Sequence, residues 1–153
     1  SMRVLYHQRN RLPQSEEKRL GAEFVSLKQL LQESDFITLH VPLTEETKYM
    51  IGKEEIELMK PTACFIHTAR GKVVDDKALV EALRERRIAG AALDVYENEP
   101  ELTDGMTELD NLLLLPHIGS ASVETRDRMA LLVAENVLDA LAGNTPRNLV
   151  PGW

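Results

Sequence analysis

The chain has 153 residues, of which 43% are hydrophobic and 28% are charged, and its formal net charge is −7. This length suffices for one domain with a hydrophobic core. The negative charge argues against nucleic acid or an anionic membrane surface as the main partner, and no apolar run approaches the roughly 20 residues of a membrane span. The single cysteine, Cys64, excludes an intramolecular disulfide and favours a reducing, cytoplasmic location.

Short apolar runs alternate with segments of helical periodicity along the chain. The segment 75–86 begins with aspartates and ends with basic residues, as the helix dipole favours, and Ser26 is predicted to cap another helix. This alternation predicts an α/β fold with a parallel sheet and helices on both faces. Strands are predicted over 3–7, 36–41, 63–69, 89–95 and 112–116, and helices over 26–34, 52–60, 75–86 and about 122–142.

Notable side chains follow five of the predicted strands. In open parallel sheets, ligands bind beyond the carboxyl ends of the strands. A single polar strand end is unremarkable, but five together indicate a shared ligand site at one edge of the sheet. The residues concerned are Arg9 and Arg11, Pro42, Arg70, Asp94 and His117.

None of the eight glycines forms the G-x-G-x-x-G loop that usually follows the first strand of a nucleotide-binding sheet. Because the chain opens directly on a strand, we expect a Rossmann-type sheet that lacks its first strand, glycine loop and first helix. A non-Rossmann α/β domain is the alternative. In the Rossmann reading, 3–7 is the second strand, after which an acidic residue usually binds the adenosine ribose.

Arg9 and Arg11 occupy that turn instead of an acidic residue. Paired guanidinium groups suit a 2′-phosphate, because each can form bidentate, charge-assisted hydrogen bonds. Two solvated arginines on the surface of an acidic protein explain the position equally well. The turn therefore leaves the choice between a phosphate site and a plain surface open.

Four motifs occur in a fixed order: "VPLTEET", "HTARGKVVDDKALVEAL", "AGAALDVYENEP" and "LLPHIGSAS". Together they resemble the C-terminal part of a D-isomer-specific 2-hydroxyacid dehydrogenase, from residue 3 to about 151. The turn "YHQRNR" is most similar to the glyoxylate/hydroxypyruvate and 2-ketogluconate reductases. The resemblance implies a homodimeric, NAD(P)-dependent oxidoreductase. It also implies a partial dinucleotide-binding domain over 1–142 and a tail, 143–153, that returns to an absent substrate domain.

The resemblance assigns three catalytic residues. Arg70 corresponds to the arginine that binds the substrate carboxylate and polarises the keto group, a task that suits a planar and permanently charged fork. His117 corresponds to the acid/base, and Glu99 to its carboxylate partner, which keeps a proton on the imidazole near neutral pH. Glu97 is the nearby competitor for the glutamate's role.

The resemblance also places residues against the cofactor, with NADP preferred and NAD as the alternative, and no metal is expected. His67 replaces an asparagine that is common in the family, and we expect no catalytic consequence. The cofactor-binding residues implied are Arg9, Arg11, Val41, Pro42, Thr47, Thr68, Ala69, Asp94, Gly119 and Ser120.

The reaction implied is hydride transfer from NADPH to a small 2-ketoacid (glyoxylate, hydroxypyruvate or 2-ketogluconate) to give the D-2-hydroxyacid. An NAD-dependent D-2-hydroxyacid or phosphoglycerate dehydrogenase is one alternative. Another is a non-catalytic, corepressor-like binding module of the same fold. The presence of Arg70, Glu99 and His117 argues against that module, since a binder needs no proton donor. We expect little turnover from the 153 residues alone, because hydride transfer requires a precisely held cofactor.

Overall fold

The structure, a computed structural model, describes residues 2–150. The chain divides into two compact units, Ser1–Pro116 and His117–Trp153, and each is described separately. Within residues 2–150, every strand lies in the first unit. The predicted boundary between a domain over 1–142 and a tail over 143–153 stays a prediction, and residues 151–153 of that tail lie outside the described part.

The first unit is an α/β structure whose paired strands all run parallel. β1 pairs with β2, and the other four strands form a sheet in the order β3-β4-β5-β6. The strands are β1 Val4–Tyr6, β2 Ala22–Phe24, β3 Phe36–Leu39, β4 Cys64–His67, β5 Gly90–Leu93 and β6 Leu112–Leu114; the helices are α1 Gln14–Leu20, α2 Leu27–Glu33, α3 Lys53–Leu58 and α4 Asp76–Arg84. The predicted parallel α/β fold is confirmed.

Two elements, α1 and β2, are absent from the sequence prediction. α1 is a seven-residue helix whose buried residue is a glutamate, Glu17, so it has no apolar stripe to reveal it. It follows Pro13 and ends at Gly21, whose φ of 62° is the left-handed conformation that glycine adopts readily. β2 has only three residues. Glu23 interrupts its apolar residues, so neither element shows the apolar pattern that marks the predicted ones.

The two sheets are separate within residues 2–150, and β1 and β3 line one cavity. In the Rossmann strand order, the first strand lies at this place, between the second and the fourth. Residues of β1 and β3, together with residues that follow each of these strands, line this cavity, which has a volume of about 720 Å³. The interruption agrees with the expected Rossmann sheet without its first strand.

The core of the first unit lies on one face of the four-stranded sheet. Ile37, Phe65 and Leu93 are buried there, whereas Phe36 on the alternate face of β3 is 67% exposed. α4 contributes the apolar side of the packing through Ala78, Leu79, Val80, Ala82 and Leu83. Caps fix the helix starts: the Ser26 hydroxyl accepts from the Gln29 amide, as predicted, and the Asp75 carboxylate accepts from two amides of α4.

The second unit is built on one helix, α5 (Val123–Leu141), whose start is capped by the Ser122 hydroxyl. The helix is followed by Gly143, with φ at 78°. The segment after it is attached to the helix by reciprocal hydrogen bonds between Asn136 and Asn148, each of 3.2 Å. Within residues 2–150, no helix is both long enough and apolar enough to cross a membrane.

Candidate functional site

The carboxyl ends of the strands are level in the four-stranded sheet. Leu39 of β3 is paired with His67 of β4, His67 with Leu93 of β5, and Leu93 with Leu114 of β6. The chain segments that leave these residues therefore emerge along one edge. This register brings together side chains that are more than 50 positions apart in sequence, and it is the edge that the sequence predicted as the ligand site.

Five of the predicted site residues line one cavity at this edge. The cavity has a volume of about 650 Å³ and lies where the segments after β3 and β4 meet. Its predicted members are Val41, Pro42, Thr68, Ala69 and Arg70, and His40 and Leu43 complete its lining. The structure thus places the expected carboxylate-binding arginine beside residues expected at the nicotinamide.

His67 holds the backbone from which Arg70 projects. Its imidazole is fully buried, and Nε2 lies 3.0 Å from the Arg70 carbonyl oxygen. Because a carbonyl only accepts, Nε2 carries the hydrogen, and Nδ1 makes no hydrogen bond within residues 2–150. Burial lowers the pKa of His67, so the ring is neutral. His67 therefore supports the arginine segment, a role that the sequence reading did not assign to it.

Thr47 shapes the turn after β3. Its hydroxyl donates to the Pro42 carbonyl at 2.6 Å and accepts from the Thr44 amide at 2.8 Å. These bonds close the turn and hold the cavity-lining segment in place. Thr47 also lines the larger cavity together with Val41 and Pro42, so the two cavities share a wall.

The turn after β5 carries Asp94 and Glu99. Asp94 is buried, and its amide donates to the His67 carbonyl at 2.9 Å. The Glu99 carboxylate accepts from the Tyr96 amide at 3.0 Å, within its own turn. The Tyr96 hydroxyl donates to the Leu115 carbonyl, which ties this turn to the segment after β6. Glu99 is therefore presented by a turn that the sheet edge anchors.

Glu97 and Glu99 differ in their surroundings. The Glu97 carboxylate accepts a hydrogen bond of 2.6 Å from the Tyr49 hydroxyl, and this bond raises the pKa of Tyr49. Glu97 is thus bound to the turn after β3, in a contact that no sequence pattern indicated. The assignment of Glu99, with Glu97 as its competitor, stays a prediction.

The two arginines after β1 have different environments. Arg11 binds Glu17 through two parallel contacts, Nε–Oε1 at 2.7 Å and Nη2–Oε2 at 2.9 Å, and lies over the Phe24 ring. Arg11 and the Tyr6 hydroxyl hold the pKa of the buried Glu17 carboxyl at about 2. Arg11 is therefore already paired with a buried carboxylate, although its own side chain is 61% exposed, and the sequence alone did not reveal this pairing.

Arg9 is also exposed, and it lies at the larger cavity. Its side chain is 73% exposed and lies 3.6 Å from the similarly exposed Glu46 carboxylate. Exposed ion pairs of this kind contribute little to stability. Arg9 also lines the 720 Å³ cavity beside Gln8 and Asn10. Of the two arginines, it is the one placed to meet an anionic ligand.

The second unit holds His117, Gly119 and Ser120. His117 has a φ of 54°, a left-handed conformation that is uncommon for a residue other than glycine. A hydrogen bond of 3.0 Å from the Ala121 amide to the Ile118 carbonyl closes the turn before α5. Such strained backbone positions cluster at functional sites. The pairing of His117 with Glu99 stays a prediction.

Asp76 is a buried carboxyl next to the Glu99 turn, and the sequence reading treated it only as a helix-dipole residue. It is 1% exposed, and burial raises its pKa from 3.8 to about 6. The folded state therefore binds more protons than the unfolded chain between these values, and stability falls as the pH rises through them. The total effect is about 3 kcal/mol, of which about 2 kcal/mol falls between about pH 4.5 and pH 7.5.

We expect Asp76→Asn to remove this pH dependence. Urea unfolding of both proteins at the two pH values should show the variant gaining about 2 kcal/mol relative to wild type at the higher pH. The lowered pKa of His67 acts oppositely, since its contribution is lost as the pH falls below 6.5, but it is common to both proteins and cancels in the difference. If the difference in unfolding free energy between the two proteins does not change with pH, the raised pKa of Asp76 is contradicted.

Comparison with known proteins agrees with this geometry. The family model for the D-isomer specific 2-hydroxyacid dehydrogenase NAD binding domain matches residues 1–119. A glyoxylate reductase of Thermococcus litoralis is 53% identical over 149 residues, which are 97% of this chain and 45% of that protein. The chain thus spans under half the length of the curated relatives it matches.

Two solved structures illustrate the range of similar proteins. The NADPH-dependent glyoxylate/hydroxypyruvate reductase of Sinorhizobium meliloti, in complex with NADP and malonate, has a TM-score of 0.83 and 34% identity over 90% of this chain and 42% of that one. The D-lactate dehydrogenase of Aquifex aeolicus, in complex with NAD and lactic acid, has a TM-score of 0.84 and 36% identity over 94% and 47%. The ordered motifs, the parallel sheet and these matches agree, and the chain belongs to the NAD-binding domain family of the D-isomer specific 2-hydroxyacid dehydrogenases.

Proposed function

We propose that the chain is the cofactor-binding part of a reductase that converts a small 2-ketoacid, such as glyoxylate, hydroxypyruvate or 2-ketogluconate, to the D-2-hydroxyacid with NADPH. The observation that carries the proposal is the position of Arg70 in one cavity with Val41, Pro42, Thr68 and Ala69. A permanently charged fork beside a largely apolar wall suits a carboxylate-bearing substrate next to a flat ring. Relatives named glyoxylate reductase support the substrate class.

The residues present fit a nicotinamide dinucleotide. The 650 Å³ cavity at Arg70 and the 720 Å³ cavity at Arg9 share Val41 and Pro42, so the site is elongated. The proposed holders at the nicotinamide end are Val41, Pro42, Thr68, Ala69, Asp94, Gly119 and Ser120, with Thr47 shaping the turn. When bound, the cofactor supplies the hydride for the substrate carbon.

The chain's own residues bind the substrate and donate the proton. Arg70 binds the substrate carboxylate bidentately and polarises the keto group, which favours charge development on its oxygen. His117 gives the proton that this oxygen needs, and Glu99 orients and stabilises the charged imidazole. His67, through the Arg70 carbonyl, fixes the backbone from which the guanidinium projects.

The NADPH preference rests on Arg9, with Arg11 in a supporting role. Arg11 is bound to the buried Glu17 and so stabilises the turn that presents Arg9, Gln8 and Asn10 to the larger cavity. The 2′-phosphate of NADPH can form a charge-assisted hydrogen bond with the exposed Arg9 guanidinium. The 2′-hydroxyl of NADH is uncharged, so its hydrogen bond to the same group is weaker.

We expect Arg9→Glu to lower the affinity for NADPH relative to NADH by about 10- to 100-fold, which corresponds to about 1.5–3 kcal/mol for a charged hydrogen bond. The measurement is the pair of dissociation constants, obtained by titrating cofactor fluorescence. Arg19→Glu is the matched control, since Arg19 is an exposed arginine of α1 paired with Glu16. An unchanged NADPH/NADH ratio in Arg9→Glu would favour the NAD-dependent alternative, for which the similar D-lactate dehydrogenase with NAD is the precedent.

The reaction itself is tested with the gene product that contains this chain. NADPH oxidation should be seen with glyoxylate, hydroxypyruvate or 2-ketogluconate, and the product should be the D-isomer. Turnover confined to NAD and a phosphorylated hydroxyacid would replace the proposal by the phosphoglycerate dehydrogenase alternative. Nucleotide binding with no turnover on any 2-ketoacid would favour the corepressor-like module.

The proposal also includes assembly and location. We expect a homodimer and a cytoplasmic protein, as the family resemblance implies. Sedimentation of the gene product at several concentrations checks the first expectation, and fractionation of cells checks the second.

A further inference from the structure

The turn that carries Glu99 is attached to the segment that follows Arg70. The direct attachments are a close backbone contact between Gly71 and Tyr96 and a hydrogen bond from the Glu97 amide to Asp76. Tyr49 adds an indirect one, because its amide donates to the Lys72 carbonyl and its hydroxyl donates to Glu97. Arg70 and Glu99 are therefore carried by segments that are joined to each other and not only to the sheet.

The Asp76 bond is the attachment that comes from a rigid element. Asp76 is the first residue of α4, and α4 is held in the core by the apolar residues of its buried side. Its Oδ2 accepts from the Glu97 amide at 2.9 Å and lies 3.4 Å from the Thr103 hydroxyl. One carboxylate oxygen thus meets both ends of the turn that contains Glu99.

The hydrogen bond from the Glu97 amide to Asp76 is shielded from solvent, so its loss would cost free energy. Asp76 is 1% exposed, so water cannot easily replace the carboxylate as acceptor. A buried donor left without an acceptor loses its hydrogen bond to water without gaining another, which is unfavourable. That cost is enough to populate other conformations of a short exposed turn. The Glu99 carboxylate accepts from the Tyr96 amide, which directly precedes the Glu97 amide in the same turn. A movement of the turn would therefore also move this carboxylate.

We propose that Asp76 is a positioning residue, which accepts the hydrogen bond of the Glu97 amide and thereby fixes the turn that orients Glu99 in the active site. The inference rests on the proposed function, since Glu99 has a catalytic part only there. A carboxyl oxygen accepts this bond whether the group is protonated or ionised, so the positioning does not depend on its charge. Asparagine at this position should therefore still accept the hydrogen bond of the Glu97 amide, whereas alanine should not.

The test compares Asp76→Ala and Asp76→Asn in the gene product that contains the chain, with Glu81→Ala on the same helix as control. The Glu81 side chain is exposed and lies 3.6 Å from Lys53. We expect Asp76→Ala to speed hydrogen exchange of the Glu97 amide at least 10-fold and to lower kcat about 10-fold. The KM for the cofactor should stay within twofold, and Asp76→Asn should restore both exchange and kcat. Should the alanine variant fail to fold, Asp76→Ser takes its place, because its shorter side chain does not reach the Glu97 amide.

The proposal is overturned if Asp76→Ala keeps wild-type kcat, or if asparagine impairs kcat as much as alanine does. A wild-type gene product that reduces no 2-ketoacid would refute the proposed function before any variant is compared. The positioning is then decided by the ¹³C resonance of the Glu99 carboxyl. We expect Asp76→Ala to shift this resonance and Asp76→Asn to leave it in place, and an unmoved resonance in the alanine variant overturns the inference.

Discussion

Replacement of His117 by alanine should lower kcat for 2-ketoacid reduction by 10²- to 10⁴-fold, the range that a positioned general acid contributes. The reason is that the alkoxide formed by hydride addition would have to take its proton from water. The dissociation constant for NADPH should stay within about twofold, because the proton donor is not needed to hold the cofactor. Stopped-flow turnover and a cofactor titration on the gene product measure the two quantities.

A control substitution on the same unit sharpens this result. Glu124→Gln, an exposed position in the first turn of α5, is the control for general effects on the second unit. Undiminished turnover in His117→Ala would remove the acid/base assignment, while the carboxylate-binding role of Arg70 would stand.

Gly71→Ala should destabilise the chain by about 3 kcal/mol or more, the upper end of what overpacking costs. A Cβ at this position would lie 1.7 Å from the Tyr96 carbonyl oxygen, a distance that only movement of the backbone can relieve. Because Arg70 precedes Gly71 and Tyr96 begins the Glu99 turn, relief would displace both segments. We therefore expect weaker activity as well as lower stability, measured by urea unfolding and by steady-state kinetics.

Gly52→Ala is the matched control for this substitution. A Cβ at position 52 would meet nothing closer than the Glu55 carboxylate at 3.6 Å, which is ordinary van der Waals contact. Its φ of −113° is open to any residue. Equal stability of the two alanine variants would show that the Gly71–Tyr96 approach is not a constraint.

Local patterns predicted much of the architecture. The four strands of the main sheet and helices α2 to α5 lie within one or two residues of their predicted positions, because alternating apolar runs and helical periodicity are properties of contiguous sequence. α1 and β2 were missed because α1 has no apolar stripe and Glu23 interrupts the apolar residues of the short β2. The ordered motifs also sufficed to name the family.

For the residues at the candidate site, sequence position was a less complete guide than it was for the fold. Arg70 and Pro42 were singled out because each follows a strand, and strand ends share an edge in a parallel sheet. Val41 was implied only by the family resemblance. Arg11 was found by the same rule, yet its main partner is Glu17, a buried glutamate of the helix that no pattern had revealed. Position along the chain identifies candidates but does not say whether a charge is already compensated.

The amino-acid sequence was sufficient for the fold class and the family, since these depend on local periodicity and on motif order, and it singled out the edge of the sheet that we propose as the site. The surroundings of His67, Asp76 and Glu17 required the folded chain. Burial and pairing arise between segments far apart in sequence, as when the Asp76 carboxylate meets the amide of Glu97, 21 residues away. The free-energy cost of an unpaired buried group decides which of these contacts must form, and only the packed structure shows which groups are buried.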